Sequence, residues 1–272
     1  MTYNCKALGL VAALALAPMG ASAAVVDITI QNFGTGSAVD TANATAALDA
    51  FMGSSPITGT EDFEGFTACT GGNVGGCASA PVGSSDLGTT PIQSSSVGNF
   101  YGIAPSDQPG GSALNPKDEI IVRSDNPNNT FSRYDVVGGT NWLDSNDLNG
   151  IRWEIPGAAN LSKILKIAFF LTDVDDVGNV DFKITAVGED VTVENIFGAH
   201  GGVDGSLDLV TMQFDGPIDL TNIQMTTGAG DGFGIDGIQV ASVPLPASAL
   251  LLLGGLGGLG GLSVLRRRKR AA

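Results

Sequence analysis

Lys163-Ile164-Leu165-Lys166-Ile167-Ala168-Phe169-Phe170-Leu171 is the most apolar of the short runs between the two ends of this chain. An uninterrupted apolar run of this length is typical of a strand that is buried in a protein core, although a helix is the alternative. We predict that residues 164–171 form a central strand of the fold.

Short apolar runs separated by turn residues lie on both sides of this strand. A first strand is predicted at 25–30, followed by a helix over 42–52 that Asp40 or Thr41 caps and Gly53 ends. Helical segments do not alternate with the later runs, so a parallel βαβ fold is disfavoured. The pattern predicts one all-β domain, a β-sandwich with one short N-terminal helix. Further strands are predicted at 97–103, 119–123, 131–137, 150–155, 180–187, 191–197, 207–214, 218–225 and 234–240.

The N-terminal end of the chain has the features of an export signal. Lys6 precedes an apolar stretch, residues 7–17, and then Pro18 and the small residues Ala21-Ser22-Ala23. This order is typical of a secretory signal peptide over residues 1–23 that is cleaved before Ala24, with a buried N-terminal helix as the alternative. Export of the remaining chain is therefore predicted.

The C-terminal end, residues 242–272, contains a segment that predicts a transmembrane helix. Residues 247–265 are 19 residues without a charge, and a helix of that length, at about 1.5 Å per residue, matches a hydrocarbon core of about 30 Å. Basic residues hold the adjoining end of such a helix in the cytoplasm. The ectodomain, residues 24–241, is then predicted to lie outside the cytoplasm. The basic residues that follow the helix are Arg266, Arg267, Arg268, Lys269 and Arg270.

Charge and cysteine content limit what the ectodomain can do. The chain holds 13 basic and 28 acidic residues, but Lys6 and the five C-terminal basic residues lie outside the ectodomain, which leaves 7 basic against 28 acidic residues, or −21. Such a charge opposes binding to nucleic acid. Once Cys5 is removed, Cys69 and Cys77 remain on either side of a Gly-rich loop. In an exported protein they predict one local disulfide, and a metal site is the weaker alternative.

Val243-Pro244-Leu245-Pro246-Ala247 stands directly before the apolar segment. Its two prolines favour an extended chain that is open to an enzyme. The motif, the apolar helix and the basic tail together resemble the VPLPA variant of the PEP-CTERM sorting signal, with Leu245 in place of the glutamate of the commonest form. The resemblance implies processing by an exosortase, transfer to the cell envelope or release, and an association with exopolysaccharide and biofilm. A permanent single-pass anchor is the main alternative, and a Gly-Gly signal read by a rhomboid-like protease is a weaker one.

Asp173, Asp175 and Asp176 follow the predicted core strand and form a first candidate calcium site. Clustered carboxylates suit calcium, which is a hard cation that takes oxygen ligands. The spacing does not fit an EF-hand, and a solvated acidic turn is the alternative.

A second candidate calcium site joins Asp62 and Glu64 with Asp236 near the end of the domain. Phe63 stands between the first two residues and is predicted to be half-buried on a short strand. The early acidic strand and the late aspartate resemble those of jelly-roll carbohydrate-binding modules, and the resemblance implies a jelly-roll-like β-sandwich and a shared structural calcium ion.

Catalysis has little support in the sequence. His200, the one histidine, has no Gly-x-Ser-x-Gly elbow or cysteine nucleophile to serve. Trp142 lies in a polar stretch where its ring is predicted to be exposed as a sugar platform, whereas Trp153 alternates with Ile151 and Ile155 and is predicted to be core. The leading hypothesis is a non-enzymatic surface or matrix protein. A carbohydrate-binding module is the alternative, and a secreted glycosidase that uses paired carboxylates is a weaker one.

Overall fold

The computed structural model is built mainly of antiparallel β-sheet. It describes residues 26–69, 77–81, 88, 90–103, 119–124, 133–134, 136–146, 148–155, 162–174, 180–186, 189–193, 205–218, 220–227 and 232–244. Its elements in chain order are β1 (Val26–Asn32), α1 (Ala38–Met52), β2 (Ile57–Glu61), β3 (Ser79–Pro81), β4 (Ile92–Ser94), β5 (Gly98–Ile103), β6 (Glu119–Ser124), β7 (Asn141–Asp144), β8 (Gly150–Glu154), β9 (Ser162–Thr172), β10 (Val180–Ala186), β11 (Glu189–Val193), β12 (Leu207–Ile218), β13 (Leu220–Thr227) and β14 (Gly234–Pro244).

The strands of the described residues form two sheets. The larger sheet has the order β1-β12-β9-β14-β7-β6-β3, and β2 pairs with β14 beside β7. The smaller sheet has the order β11-β10-β13-β8-β5-β4. Neighbouring strands in both sheets run antiparallel, so the predicted all-β sandwich is confirmed.

The core lies between the two sheets. Phe100 and Trp153 of the smaller sheet and Phe169 of the larger sheet belong to one buried cluster. The Trp153 ring stacks on Phe100 with the centroids 5.8 Å apart and meets Phe169 edge-on at 6.3 Å, and such ring pairs stabilise a core beyond their buried area. The prediction that Trp153 is a core residue is confirmed.

Strand β9 is buried on both faces, which explains its uninterrupted apolar sequence. Ile167, Phe169 and Leu171 face the smaller sheet. Ala168 and Phe170 face the other way and pack in a second cluster under helix α1. The predicted central strand is therefore confirmed, and it pairs with β12 on one side and β14 on the other.

Helix α1 begins earlier than the sequence predicts. Ser37, and not Asp40 or Thr41, is the N-cap: its hydroxyl accepts a hydrogen bond from the Asp40 N–H, while the Asp40 carboxylate accepts one from the Ser37 N–H. This capping box satisfies two N–H groups that a helix start leaves free. The helix ends before Gly53 as predicted, and the Lys166 ammonium donates to the Phe51 carbonyl at 2.7 Å.

Two strand predictions need correction. The described residues of 131–137 are not in a strand but in an irregular segment. Phe63 lies in a turn with φ 57° and is fully buried, so the half-buried strand predicted there is wrong. Strand β11 covers Glu189–Val193, and residues 194–197 of the strand predicted at 191–197 lie outside the described residues. The sequence prediction also missed β2, β3, β4 and β7.

The predicted signal peptide, residues 1–23, and the predicted membrane helix, residues 247–265, lie outside the described residues, as does the basic tail. Among the residues that are described, no helix is both long enough and apolar enough to cross a membrane.

Candidate functional site

The disulfide between Cys69 and Cys77 is confirmed, with their Cα atoms 5.1 Å apart. Cys69 lies against β6, where its N–H donates to the Val122 carbonyl at 2.7 Å. Ala78, directly after Cys77, accepts from the Val122 N–H at 2.9 Å. The disulfide therefore joins two segments that already contact the same strand, next to the edge strand β3.

The carboxylates of the second candidate calcium site bind backbone groups. Glu64 accepts from the N–H groups of Thr140 and Asn141, each at 2.6 Å. Asp62 accepts from the Glu64 N–H at 3.2 Å. Asp236 has a separate set of backbone partners in the segment before β7. These acidic residues therefore hold turns and loops against the larger sheet.

Asp236 is 1% exposed and accepts three backbone hydrogen bonds. Its Oδ2 accepts from the N–H groups of Val136 and Val137, at 2.7 and 2.9 Å, and its Oδ1 accepts from the Gly237 N–H at 2.6 Å. Gly237 has φ 58° and lies at an irregularity in the pairing of β14 with β9. Asp236 thus fixes the irregular segment before β7 on the outer face of the larger sheet.

Within the described ranges, no three His, Cys, Asp or Glu side chains lie close enough to share a metal ion. The structure therefore offers no calcium ligand set made of Asp62, Glu64 and Asp236. Of the first candidate site, Asp175 and Asp176 lie outside the described residues. Calcium binding by this protein stays a prediction.

Asp173 belongs to a buried ionic network at one end of the larger sheet. Its carboxylate lies 3.3 Å from Arg133 Nε, and Arg133 Nη1 donates to Asp144 Oδ1 at 3.0 Å. The other Asp144 oxygen pairs with Arg123. All four side chains are at most one-tenth exposed, and a buried charge requires partners of this kind. We name Arg123, Arg133, Asp144 and Asp173 the ionic network.

Trp142 is 1% exposed, so the prediction that its ring is an exposed sugar platform is wrong. It lies on β7, between β6 and β14. Of the buried polar residues that follow it, Asp144 belongs to the ionic network, Asn146 bonds to Arg123 and Asp144, and Ser145 bonds to Phe233. The Trp142 N–H and the Thr172 hydroxyl have no hydrogen-bond partner. Both lie beside Gly234, where a Cβ atom would come within 2.4 Å of the Thr172 hydroxyl.

Tyr134 follows the ionic network residue Arg133 and donates its phenol to the Gly205 carbonyl at 3.0 Å. Burial and then the negative charges of Asp208, Asp40 and Asp173 raise the pKa of Tyr134 far above its usual value. The phenol is therefore protonated throughout the physiological pH range.

Replacement of Tyr134 by phenylalanine is expected to remove one hydrogen bond, about 1 kcal/mol of the free energy of unfolding, at pH 8. The raised pKa stabilises the folded state below about pH 10, where unfolded tyrosine is also protonated. This contribution is lost as the pH rises above that value, because the unfolded chain releases the proton first. Thermal melts between pH 8 and 11 should show the wild type approaching the variant, and a constant gap would contradict the role of this pKa.

The outer face of the smaller sheet carries side chains that the sequence did not single out as a site. Phe100, Trp153 and Ile223 point into the core, so their strand neighbours point outward. These neighbours pair across β5, β8 and β13 as two rows, Asn99–Glu154–Asn222 and Tyr101–Arg152–Gln224. We name the outward polar and aromatic residues of these strands and β4 the amide face: Gln93, Asn99, Tyr101, Arg152, Glu154, Asn222, Gln224 and Thr226.

The side chains of the amide face are half-buried, except that Gln93 is exposed. Arg152 and Glu154 form an ion pair, and the Arg152 guanidinium lies 5.4 Å from the centre of the Tyr101 ring. Arg152 Nε has no hydrogen-bond partner. In the sequence, the apolar residues Ile151 and Trp153 alternate with Arg152 and Glu154. This alternation indicates which side chains point outward once the core residues are known.

A cavity of about 430 Å³ lies next to the amide face, where the edge strands β3 and β4 approach each other. Phe66, Ala78 and Pro91 form its apolar lining, and Gln93 contributes a polar group. Gln93 thus belongs to both the cavity and the amide face. The volume is in the range of small-molecule sites.

The described part of the sorting motif forms the end of the last strand. Val243 and Pro244 pair with Lys163 and Ser162 at the start of β9. Val26, at the start of β1, pairs with Phe214 of β12. The β12 residue next to it, Gln213, pairs with Lys166 near the start of β9, at the same end of the larger sheet. The first and last described residues therefore leave the domain at one end, and the ionic network lies at the opposite end.

Comparison with known proteins gives no family. No protein-family model matches the chain, and no curated protein matches it. Among solved structures, a Stig cyclase, Fisc from Fischerella sp. TAU, is 11% identical, with 57% of this chain and 88% of that chain covered and a TM-score of 0.36. The structure of TmCBM61 in complex with beta-1,4-galactotriose is 15% identical, with 46% and 82% covered and a TM-score of 0.22. Neither likeness is strong enough to support a function.

Proposed function

We propose that this chain is a non-enzymatic, exported protein of the cell surface or extracellular matrix. Its C-terminal sorting signal, residues 242–272, brings the ectodomain to the membrane, where an exosortase-type enzyme processes it near residues 243–247. The ectodomain then meets exopolysaccharide outside the cell. The jelly-roll-like class of the sandwich is part of this proposal, supported by the pairing of strands that are distant in sequence, such as β14 with β7 and β1 with β12.

The observation that carries the proposal is the position of Val243 and Pro244 at the end of β14. The folded domain reaches the sorting motif itself, so only Leu245 and Pro246 separate β14 from the predicted membrane helix, and the Cα atoms of residues 244 and 247 are at most roughly 10 Å apart. Such a short connection holds the domain close to a membrane surface.

The common exit of both chain ends gives further support. During export the predicted signal peptide and the predicted C-terminal helix both lie in the membrane. Strand β1 begins and strand β14 ends on the same side of the larger sheet. A domain whose N- and C-termini are both held in the membrane can therefore complete this sheet without either terminus crossing the sandwich. The disulfide agrees with an oxidising compartment.

Mass spectrometry of the mature protein from its host tests the sorting proposal. We expect an N-terminus at Ala24 and a C-terminus within or next to residues 243–247. A Pro246→Ala variant should accumulate with its tail attached, because the motif loses one of its two prolines, while Ser248→Ala should be processed as the wild type is. A wild-type chain that is intact through Ala272 would contradict processing and leave only a membrane anchor.

A further inference from the structure

The amide face differs in charge from the rest of the protein. The ectodomain has four acidic residues for each basic one, so an ordinary solvated surface of this domain is expected to be acidic. The amide face instead has one acidic and one basic side chain, which pair with each other. Its other members are uncharged, so these eight residues carry no net charge, and on the next strand, β10, Lys183 pairs with Gln224.

The chemistry of the amide face fits a polyhydroxylated ligand. Each Asn and Gln side chain both donates and accepts hydrogen bonds, as a sugar hydroxyl does. Asn99, Asn222 and Gln224 lie in two adjacent rows, which repeat about every 4.8 Å across the sheet and about every 6.7 Å along the strands. Tyr101 adds an aromatic ring beside these groups, where the apolar side of a sugar ring can pack.

Arg152 lies at the centre of this surface. Its guanidinium pairs with Glu154 and lies over the Tyr101 ring, while its Nε is buried and has no hydrogen-bond partner. The ion pair and the ring contact therefore fix the position of Arg152 beside Tyr101.

Other classes of ligand fit this surface less well. Nucleic acid and acidic polysaccharide are repelled by the charge of the domain. A protein interface has an apolar, aromatic-rich centre, whereas the described side chains at the outward positions of β5, β8 and β13 include only Tyr101 and Ile103 as large apolar groups. The described helix α1 covers the larger sheet and not this one.

We propose that the amide face binds a neutral polysaccharide, with Tyr101 packing on a sugar ring and Asn99, Asn222 and Gln224 binding hydroxyl groups. The polysaccharide chain continues past Gln93 into the adjoining cavity. This inference adds a ligand class to the proposed function. It rests on that function only in one respect, that export brings the protein to the place where it meets the polysaccharide.

Affinity gel electrophoresis of the full-length protein in a mild detergent tests the proposal. The gels contain dextran, mannan or galactan as neutral probes, or polygalacturonate as an anionic probe. We expect at least one neutral polysaccharide to slow the protein and polygalacturonate to leave its mobility unchanged. Retardation by polygalacturonate alone, or by none of the neutral probes, would overturn the proposal.

Two variants locate the binding surface. Tyr101→Ala and Gln224→Ala should each weaken the retardation about tenfold, the loss expected from one stacking or hydrogen-bonding contact. Gln31→Ala is the matched control, because Gln31 is an exposed strand glutamine on β1, in the other sheet. Equal thermal midpoints for the three variants establish that they are folded. Retardation that is unchanged in both amide-face variants would place binding elsewhere and overturn the proposal.

This experiment does not depend on processing of the tail. Binding is measured on the unprocessed chain, so a failure of the sorting proposal leaves the result unaffected. Conversely, a protein that is processed at the motif but binds no neutral polysaccharide would retain the sorting function and lose this inference.

Discussion

Replacement of Asp144 by alanine is expected to lower the free energy of unfolding by about 3–5 kcal/mol, the effect of removing one partner from a buried ion pair. Asp144 is fully buried and binds both Arg123 and Arg133. Alanine leaves two buried guanidinium groups without this carboxylate. Because domains are stable by only about 5–15 kcal/mol, urea unfolding followed by tryptophan fluorescence should show a much lower midpoint.

Two variants make the Asp144 prediction specific. Asp144→Asn keeps an oxygen acceptor for one arginine and is expected to lose less stability than Asp144→Ala. Asp215→Ala removes an exposed carboxylate of β12 and should change the free energy of unfolding by no more than about 0.5 kcal/mol. If Asp144→Ala proves as stable as Asp215→Ala, the ionic network does not hold this end of the sheet.

The elements that the sequence predicted well are those whose burial is simple. Strand β9 has apolar residues on both of its buried faces from Ile167 to Leu171, which favours a buried strand over the alternative helix. The Cys69–Cys77 disulfide is local, with a sequence separation of 8, and a short Gly-rich segment between two cysteines is a simple signal to recognise. Helix α1 was placed correctly at its C-terminal end because Gly53 stops it, but its start depends on a side-chain contact between Ser37 and Asp40 that spacing alone does not select.

Strand β7 was missed because its polar residues are buried. All four residues from Asn141 to Asp144 are buried, and the two polar ones have specific partners. A single sequence does not reveal that Arg123 and Arg133, from other parts of the chain, neutralise Asp144. The same polar composition therefore indicated an exposed turn, and the ring of Trp142 was placed on the surface.

The amide face was hidden for a different reason. Its members are Asn, Gln, Thr, Tyr and one ion pair, and residues of these types are common on any solvated strand. Alternation in β5 and β8 reveals which side chains point outward, but only the pairing of β5 with β8 and β8 with β13 brings Asn99 and Asn222 onto one surface. A surface of this kind depends on sheet order, which sequence periodicity does not supply.

Replacement of Asp236 by alanine is the second large expected effect. The change removes the acceptor for three backbone N–H groups, those of Val136, Val137 and Gly237. Each buried donor left without a partner costs about 1–3 kcal/mol, and water can reach Val137, which is only half-buried. We expect the free energy of unfolding to fall by about 3 kcal/mol in urea titrations. Asp236→Asn, which retains one oxygen acceptor, should lose less.

The same variant separates the backbone role of Asp236 from the predicted calcium role. If the carboxylate acts through backbone hydrogen bonds, Asp236→Ala is less stable than the wild type by the same amount in calcium and in EDTA. If it binds a structural calcium ion, EDTA lowers the thermal midpoint of the wild type toward that of the variant and leaves the variant unchanged. The contacts of both carboxylate oxygens with N–H groups favour the first result. A midpoint that falls in EDTA equally for both proteins would assign calcium to other ligands.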